Sequence, residues 1–544
     1  MQEWQLAHLP SPQEVPDVTG DFIQQYLTPQ KIKITEADAV KITKNTSSGQ
    51  WTAVEVTEAF CHRAALAHQM TNCLHEVFFS AALEEARLLD EYLARHGKPK
   101  GPLHGLPISL KDQFHVRGVE TTMGYVSWIG TFQGKPYDGR ALNYESELVR
   151  ELRELGAVLY CKTSVPHTLM GAETSNNIVG YVRLPQNRRL SPGASSGGEG
   201  ALIGFRGSPA GFGTDIGGSI RHPSALNGLY GLRPSSGRSP YEGAANSMDG
   251  QNVMPSVVGP MATSASALKL LMKAVLSQQP WLQDPLVVEL PWRTEMEESV
   301  LDLIRSSTDG RGKLAFGVLK HDGCVMPQPP VQRAMEYVTG LLKRLGHKVI
   351  EWEPPSHKLA AKLAFEIYGL DGGRDCFQNL SLSGESPIPQ VLEPFNHGQG
   401  KQADASQIAA INIEKREFQK AYLDYWNETI NVTGTGRTAD ALITPVIAYT
   451  AVKPHQLRYV DYSLFVNILD YPSVTVPVTR ADKAIDKQDQ TYRPENSQDQ
   501  QVYDDYDAEL YHGSPIAVQL VGRRLHEEQI LTLAEYLSGL LDFH

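Results

Sequence analysis

The chain has little of what marks several large protein classes. Its five cysteines, Cys61, Cys73, Cys161, Cys324 and Cys376, are scattered over 544 residues with no Cys-x-x-Cys pair. That is too sparse for a disulfide framework, so they read as reduced, mostly buried thiols. No apolar run reaches the roughly 18 residues of a spanning helix, so no membrane span is expected. A His-Glu-x-x-His helix and clustered His/Cys spacings are missing, so no metal site is expected. The Walker pattern for phosphate is missing too. There is no basic block: 50 Lys and Arg stand against 62 Asp and Glu, a formal charge of −12. That balance argues against a nucleic-acid partner. The polar, Pro-rich opening stretch has neither the basic nor the apolar region of a secretory signal. A cytoplasmic enzyme is the expectation.

What is present fits a globular protein. Hydrophobic residues make up 41% and charged residues 21% of the chain, enough apolar material for a large core. At roughly 150 residues per domain, length alone allows three to four domains. Residues 1–50 read as an N-terminal arm. Val56, Phe60, Ala64 and Ala67 then recur on one helix face, and a second helix is predicted over Phe79–Arg95, stopped by His96-Gly97-Lys98-Pro99. Leu106–Leu110 is a short apolar run between turn residues, which predicts a buried strand. Glu145–Gly156 predicts an amphipathic helix and Ala157–Cys161 the strand after it. Further strands are predicted over Lys313–Lys320, Leu442–Val446, Ser473–Val478 and Ile516–Val521, with helices over Pro330–Leu345 and Glu527–Leu541. Helix and short apolar strand in alternation predict an α/β architecture. Residues 480–510 are highly charged and nearly free of aliphatics, and read as a surface insertion.

Residues 183–245 break this pattern. They are dense in Gly, Ser, Pro and Arg, and the apolar periodicity fades. A long stretch of this kind inside a compact protein is uncommon unless it is functional. Its centre is Gly193-Ala194-Ser195-Ser196-Gly197-Gly198-Glu199-Gly200, followed by Gly213-Thr214-Asp215-Ile216-Gly217-Gly218-Ser219-Ile220-Arg221. Three readings compete: a glycine-rich turn with solvated serines, a phosphate cradle, and a nucleophilic serine with backbone N–H groups close by. A variant of the third takes Gly193–Gly197 as a Gly-x-Ser-x-Gly elbow with a later Asp and a His such as His455, His512 or His526. That elbow requires a buried strand before it, and Val182–Pro192 is too polar and Pro-broken to be one.

These residues resemble the amidase-signature family. Its motifs correspond to Gly193–Gly198, to Gly213–Pro223 and to Gly228-Leu229-Tyr230-Gly231-Leu232-Arg233-Pro234-Ser235. The similarity extends to Gly105–Asp112, Glu147–Thr163 and Pro515–Gly522, and covers roughly residues 50–275 and 440–540. Thr57-Glu58-Ala59-Phe60-Cys61-His62-Arg63 is similar to the fungal acetamidase/general amidase branch. The resemblance implies one α/β/α domain over 51–544 around a large mixed, twisted sheet, with the helical arm before it.

It also implies a Lys–Ser–Ser triad without a cofactor. Ser219 would be the nucleophile, Ser195 the bridging serine after a cis Ala194–Ser195 bond, and Lys111 the base. Lys111 must be neutral for that work, which burial favours. Ile216, Gly217, Gly218 and Ser219 would offer N–H groups to an oxyanion, with a helix opening near Pro223. Ser196, Asp215 and Arg221 would brace the loop. Met170, Gly171 and Ala172 would lie near the acyl pocket, although a methionine there reads equally well as core. The sequence departs from the family at Ala194, in place of Gly, and at Arg233 and Ser235, in place of Lys and Thr. The implied activity is hydrolysis of small or general aliphatic primary amides. Fatty-acid amides, aryl amides or carbamates are the alternatives within the family, and an amidotransferase subunit fits the long N-terminal region and the insertion poorly. A non-catalytic binding or scaffold protein is the alternative of another class. The expected partner is a small-molecule amide, with a homodimer left open.

Overall fold

The computed structural model describes residues 4–308, 313–392, 398–541 and 543. Its centre is a mixed sheet built from β1 (Leu74–Val77), β2 (Pro107–Lys111), β3 (Val158–Thr163), β4 (Ala210–Asp215), β5 (Tyr230–Arg233), β6 (Val257–Ala262), β7 (Ala315–Val318), β8 (Lys348–Glu351), β9 (Ala441–Pro445), β10 (Ser473–Arg480) and β11 (Pro515–Val521). Across the sheet they run β1-β3-β2-β4-β6-β5-β10-β11-β9-β7-β8. Neighbours are parallel from β3 through β2 to β4 and from β9 through β7 to β8. The pairs between those blocks are antiparallel, as is β1 against β3. Helices cover both faces. On β9, Ala441 and Ile443 join one buried cluster and Leu442 joins the cluster on the other face. A strand buried on both sides has no polar face, which is why these strands read as continuous apolar runs.

The predicted helices form for local reasons. The helix Ala53–Thr71 opens where the Thr52 hydroxyl accepts the Glu55 N–H, and it closes on Asn72 in a left-handed conformation. Its stripe of Val56, Phe60, Ala64 and Ala67 is buried in the core. The next helix, Phe79–His96, ends on Gly97 as its sequence demands. The residues expected as an arm form helices Asp21–Gln24, Pro29–Thr35 and Ala39–Ser47 and insert Val18, Ile23, Ile34 and Ile42 into the main core. Arg188 ties the start of this segment down by donating to the Pro10, Ser11 and Val15 carbonyls.

The segment 480–510 is anchored as well as charged. Arg333 pairs with Asp486 through two hydrogen bonds, and Val502 is buried at the foot of a helix spanning Ser497–Asp504. A larger departure from expectation lies in 183–245. It holds β4, β5 and a helix, Gly197–Gly204, all buried. Gly211 and Gly213 alternate with Phe212 and Thr214 along β4, so the strand has too few apolar side chains to be recognised by periodicity.

Candidate active site

The site forms where β2 and β4 end side by side. All of β2 is buried, and Lys111, its last residue, has no exposed surface. The Lys111 ammonium donates to Ser195 Oγ at 2.7 Å and to Thr214 Oγ1 at 2.7 Å. Thr214 in turn donates to Gln113 Oε1 at 2.6 Å. Burial lowers the Lys111 pKa to about 7, although the negative charges of Asp215 and Glu199 pull the other way. A buried lysine balanced near neutrality can exchange a proton with the hydroxyl beside it.

Ser195 follows a cis Ala194–Ser195 bond and is almost wholly buried, and Ala194 has a negative φ. Ser219, half-buried, lies in the loop between β4 and a short helix, Arg221–Leu226. The Ser196 N–H donates to the Ser219 carbonyl at 3.1 Å, which joins the two serine segments. Among the described residues Ser196 Oγ reaches only the Thr214 carbonyl, at 3.5 Å, so its bracing is done by the backbone. Ser195, Thr214 and Ser219 line a cavity of about 30 Å³. Ser219 also lines a larger one of about 520 Å³, together with Met170, Gly171, Ala172, Phe365, Val460 and Leu464.

The loop holding Ser219 is built on one ion pair. Arg221 donates to both oxygens of Asp215 at 3.0 Å, and both residues are fully buried. Arg221 also donates to the Ser463 carbonyl, Gln519 Oε1 and Asn467 Oδ1. Burial alone would push the Asp215 carboxyl up, but Arg221 and Asn467 hold it well below the usual carboxylate range. The ionised carboxylate accepts the N–H groups of Gly218 at 2.9 Å and Ile220 at 3.2 Å. Gly218 therefore departs from its expected role: its N–H serves Asp215. Among the described residues, no acceptor engages the N–H groups of Ile216, Gly217 and Ser219. Gly218 has φ of 116°, and a Cβ on it would lie 2.5 Å from His222 Nε2, so only glycine fits there.

The Gly-x-Ser-x-Gly elbow does not form. The residues before Ser195 belong to no strand of the large sheet. His222 lines the larger cavity, but among the described residues its ring bonds to neither serine. Burial, aided by the Arg221 charge, holds its pKa down at about 3.

Residues 55–531 match the family model described as Amidase. The chain belongs to this family. It is 46% identical over 542 residues to the acetamidase of Aspergillus oryzae, covering 99% of this chain and 95% of that one. Identity to the acetamidase of Emericella nidulans is 45% over 539 residues, covering 99% of this chain and 95% of that one. Among solved structures, a fatty acid amide hydrolase superposes with a TM-score of 0.89 at 32% identity, covering 100% of this chain and 92% of that one. The chain is thus an amide-hydrolysing enzyme with the α/β fold of the amidase-signature enzymes.

Several residues of this amidase site escaped the sequence reading. Thr214 stands directly before the motif aspartate, and its position on β4 was the only signal for it. Glu199 follows the paired glycines, is fully buried, and accepts from Ser109 at 2.6 Å and Thr163 at 3.0 Å; burial raises it to about 7 despite those donors. Tyr368 and Ser463 reach the Ser219 loop from 152 and 246 positions further along the chain, and nothing local marks them. Among the described residues no group of three or more His, Cys, Asp or Glu is placed to hold a metal, and no helix is long and apolar enough to cross a membrane.

Proposed function

We propose that the enzyme hydrolyses primary carboxylic amides to a carboxylate and ammonia through an acyl-enzyme on Ser219. The observation that carries this reading is Lys111 Nζ, buried and 2.7 Å from Ser195 Oγ. Neutral Lys111 accepts the Ser195 proton while Ser195 accepts that of Ser219, and Ser219 Oγ bonds to the amide carbon. The carbonyl oxygen becomes an oxyanion facing the N–H groups of Ile216, Gly217 and Ser219. When the C–N bond breaks, the nitrogen takes its proton from Ser195, which Lys111 reprotonates, and ammonia leaves. Water then attacks the ester, giving its proton back through the same relay, and Ser219 is released.

The two cavities support a primary amide. The leaving nitrogen must sit on the Ser195 side, because Ser195 supplies its proton. The cavity there measures about 30 Å³, far smaller than the other, which favours a small leaving group such as ammonia. The larger cavity, about 520 Å³ and mostly apolar, is left for the acyl group. Its size lies in the range of drug-sized ligand pockets and favours general aliphatic amides over acetamide alone. Ammonia release from amides of graded acyl length, by wild type and Ser219→Ala, tests the proposal. Turnover surviving in a folded Ser219→Ala variant refutes it. A cytoplasmic location belongs to the same proposal, supported by free cysteines of which Cys324 alone is not fully buried.

A further inference from the structure

The loop 216–219 presents its carbonyls to four separate donors. Ile216 O accepts the Tyr368 hydroxyl at 3.1 Å and Gly217 O accepts Ser463 Oγ at 2.6 Å. Gly218 O accepts the His222 N–H at 2.7 Å and Ser219 O accepts the Ser196 N–H at 3.1 Å. In a trans peptide the carbonyl and the next N–H point in opposite directions, so fixing one aims the other. The cis bond of the described residues is at Ala194–Ser195, so these four peptides are trans. Two of them have their N–H committed to Asp215, through Gly218 and Ile220. The other two leave the N–H groups of Gly217 and Ser219 without an acceptor among the described residues. The peptide carrying the Ser219 N–H is fixed by backbone alone. The peptide carrying the Gly217 N–H is fixed by a side chain, and that side chain is Tyr368.

We propose that Tyr368 is a positioning residue for amide hydrolysis, its hydroxyl holding the Ile216 carbonyl so that the Gly217 N–H faces the oxyanion. The inference rests on the reading of Ser219 as nucleophile. Tyr368 is the last residue of a helix, His357–Tyr368, whose Ala360, Ala361, Leu363, Ala364 and Ile367 are packed in the core, so the hydroxyl is delivered by a rigid element. Burial and the nearby Asp215 charge push its pKa up, so it stays protonated and donates. A Cβ on Gly217 would lie 2.2 Å from that oxygen, so the close approach requires glycine there. The ring lines both cavities, which places it at the junction between acyl side and leaving-group side.

The test compares Tyr368→Phe with Ser463→Ala, which removes the neighbouring hydrogen bond from a peptide whose N–H is already held by Asp215. Loss of an oxyanion donor lowers kcat by about 10²–10³, and loss of its aim alone should lower it by about 10-fold. For Tyr368→Phe we expect that drop in kcat with KM nearly unchanged. A boronic acid or trifluoromethyl ketone that mimics the tetrahedral intermediate should bind more weakly by the same factor. Ser463→Ala should lose distinctly less of both. Tyr368→Phe with wild-type kcat, a loss confined to KM, or equal losses in the two variants overturns the inference. So does failure of Tyr368→Phe to fold, because the hydroxyl would then belong to the framework. A fluorophosphonate that labels a residue other than Ser219 in the wild-type enzyme removes the underlying reading. Labelling at Ser219 with an unaffected Tyr368→Phe removes only this inference.

Discussion

Lys111 Nζ sits at the same distance, 2.7 Å, from the hydroxyls of Ser195 and Thr214. One contact leads toward the substrate. The other leads away from it, to Gln113. The Thr214–Gln113 pair gives the amine a fixed second partner, which helps to hold it against Ser195.

The pH profile follows from that lysine. With its pKa lowered by burial to about 7, kcat/KM should rise as the amine loses its proton through neutrality and level off above it. Lys111→Arg should be inactive at every accessible pH, since guanidinium does not deprotonate there. Rate measurements across pH on both proteins, with folding followed by circular dichroism, check this. A folded Lys111→Arg enzyme at wild-type rate would remove Lys111 as the base.

Stability should move against activity at the same position. In the unfolded chain Lys111 binds its proton up to its ordinary pKa of 10.5, whereas the folded state releases it near 7. Between those values the unfolded state holds more protons, so stability from this group rises with pH and is lowest below about 7. Lys111→Met should abolish turnover while raising the unfolding temperature, most clearly in mildly acidic buffer. Thermal unfolding of the two proteins at pH 6 and 9 tests the difference, and an unfolding temperature lowered in Lys111→Met at both pH values contradicts it.

Asp215→Asn should be more damaging than a surface charge change. It leaves Arg221 buried without its counter-ion and weakens the grip on the Gly218 and Ile220 N–H groups. Breaking one side of a buried pair costs about 3–5 kcal/mol. Denaturant titration should show a loss of that order, and the surviving folded fraction should react more slowly with a fluorophosphonate.

Histidine and metal should both be dispensable. His222→Phe, His455→Ala, His512→Ala and His526→Ala should each keep measurable turnover, and chelators should not change the rate. A loss of about 10⁴ in any one of them, with the fold intact, is the size expected for a missing triad member and would reassign the base.

Acyl preference should respond to the larger cavity. Ala172 lines it, and Ala172→Trp should lower kcat/KM for hexanamide much more than for acetamide. N-methyl amides should be poorer substrates of the wild type than primary amides, because the leaving-group side is the smaller of the two cavities. Equal rates on primary and N-methyl amides would count against that assignment of the two sides.

The sequence was most legible where a chemical constraint acts over a few neighbouring residues. Helix stops such as Gly97, strands with apolar runs such as β9, and the Gly213–Pro223 motif are of this kind, and Asp215, Arg221 and Ser219 do meet in one loop. What it hid depends on distant contacts. Strand β4 escaped because Gly211 and Gly213 supply one of its faces, where Ser109, Glu199 and Ser196 need the room. Gly218 was misread because a glycine in a loop shows that the backbone is special without showing where its N–H points. Tyr368, Ser463 and Thr214 become site residues only through the meeting of segments that no local pattern links.

Arg221 carries a consequence for the order in which the enzyme comes into being. Its guanidinium completes the Ser219 loop by reaching Ser463, Asn467 and Gln519, residues made some 240 to 300 positions later. A ribosome-bound chain that has emerged through residue 300 already contains Lys111, Ser195, Ser219 and the Asp215–Arg221 pair, yet lacks the three later partners of the guanidinium. The grip on the nucleophile loop is thus completed late although the loop is encoded early, so C-terminally truncated chains that lack Ser463, Asn467 and Gln519 should be inert toward amides.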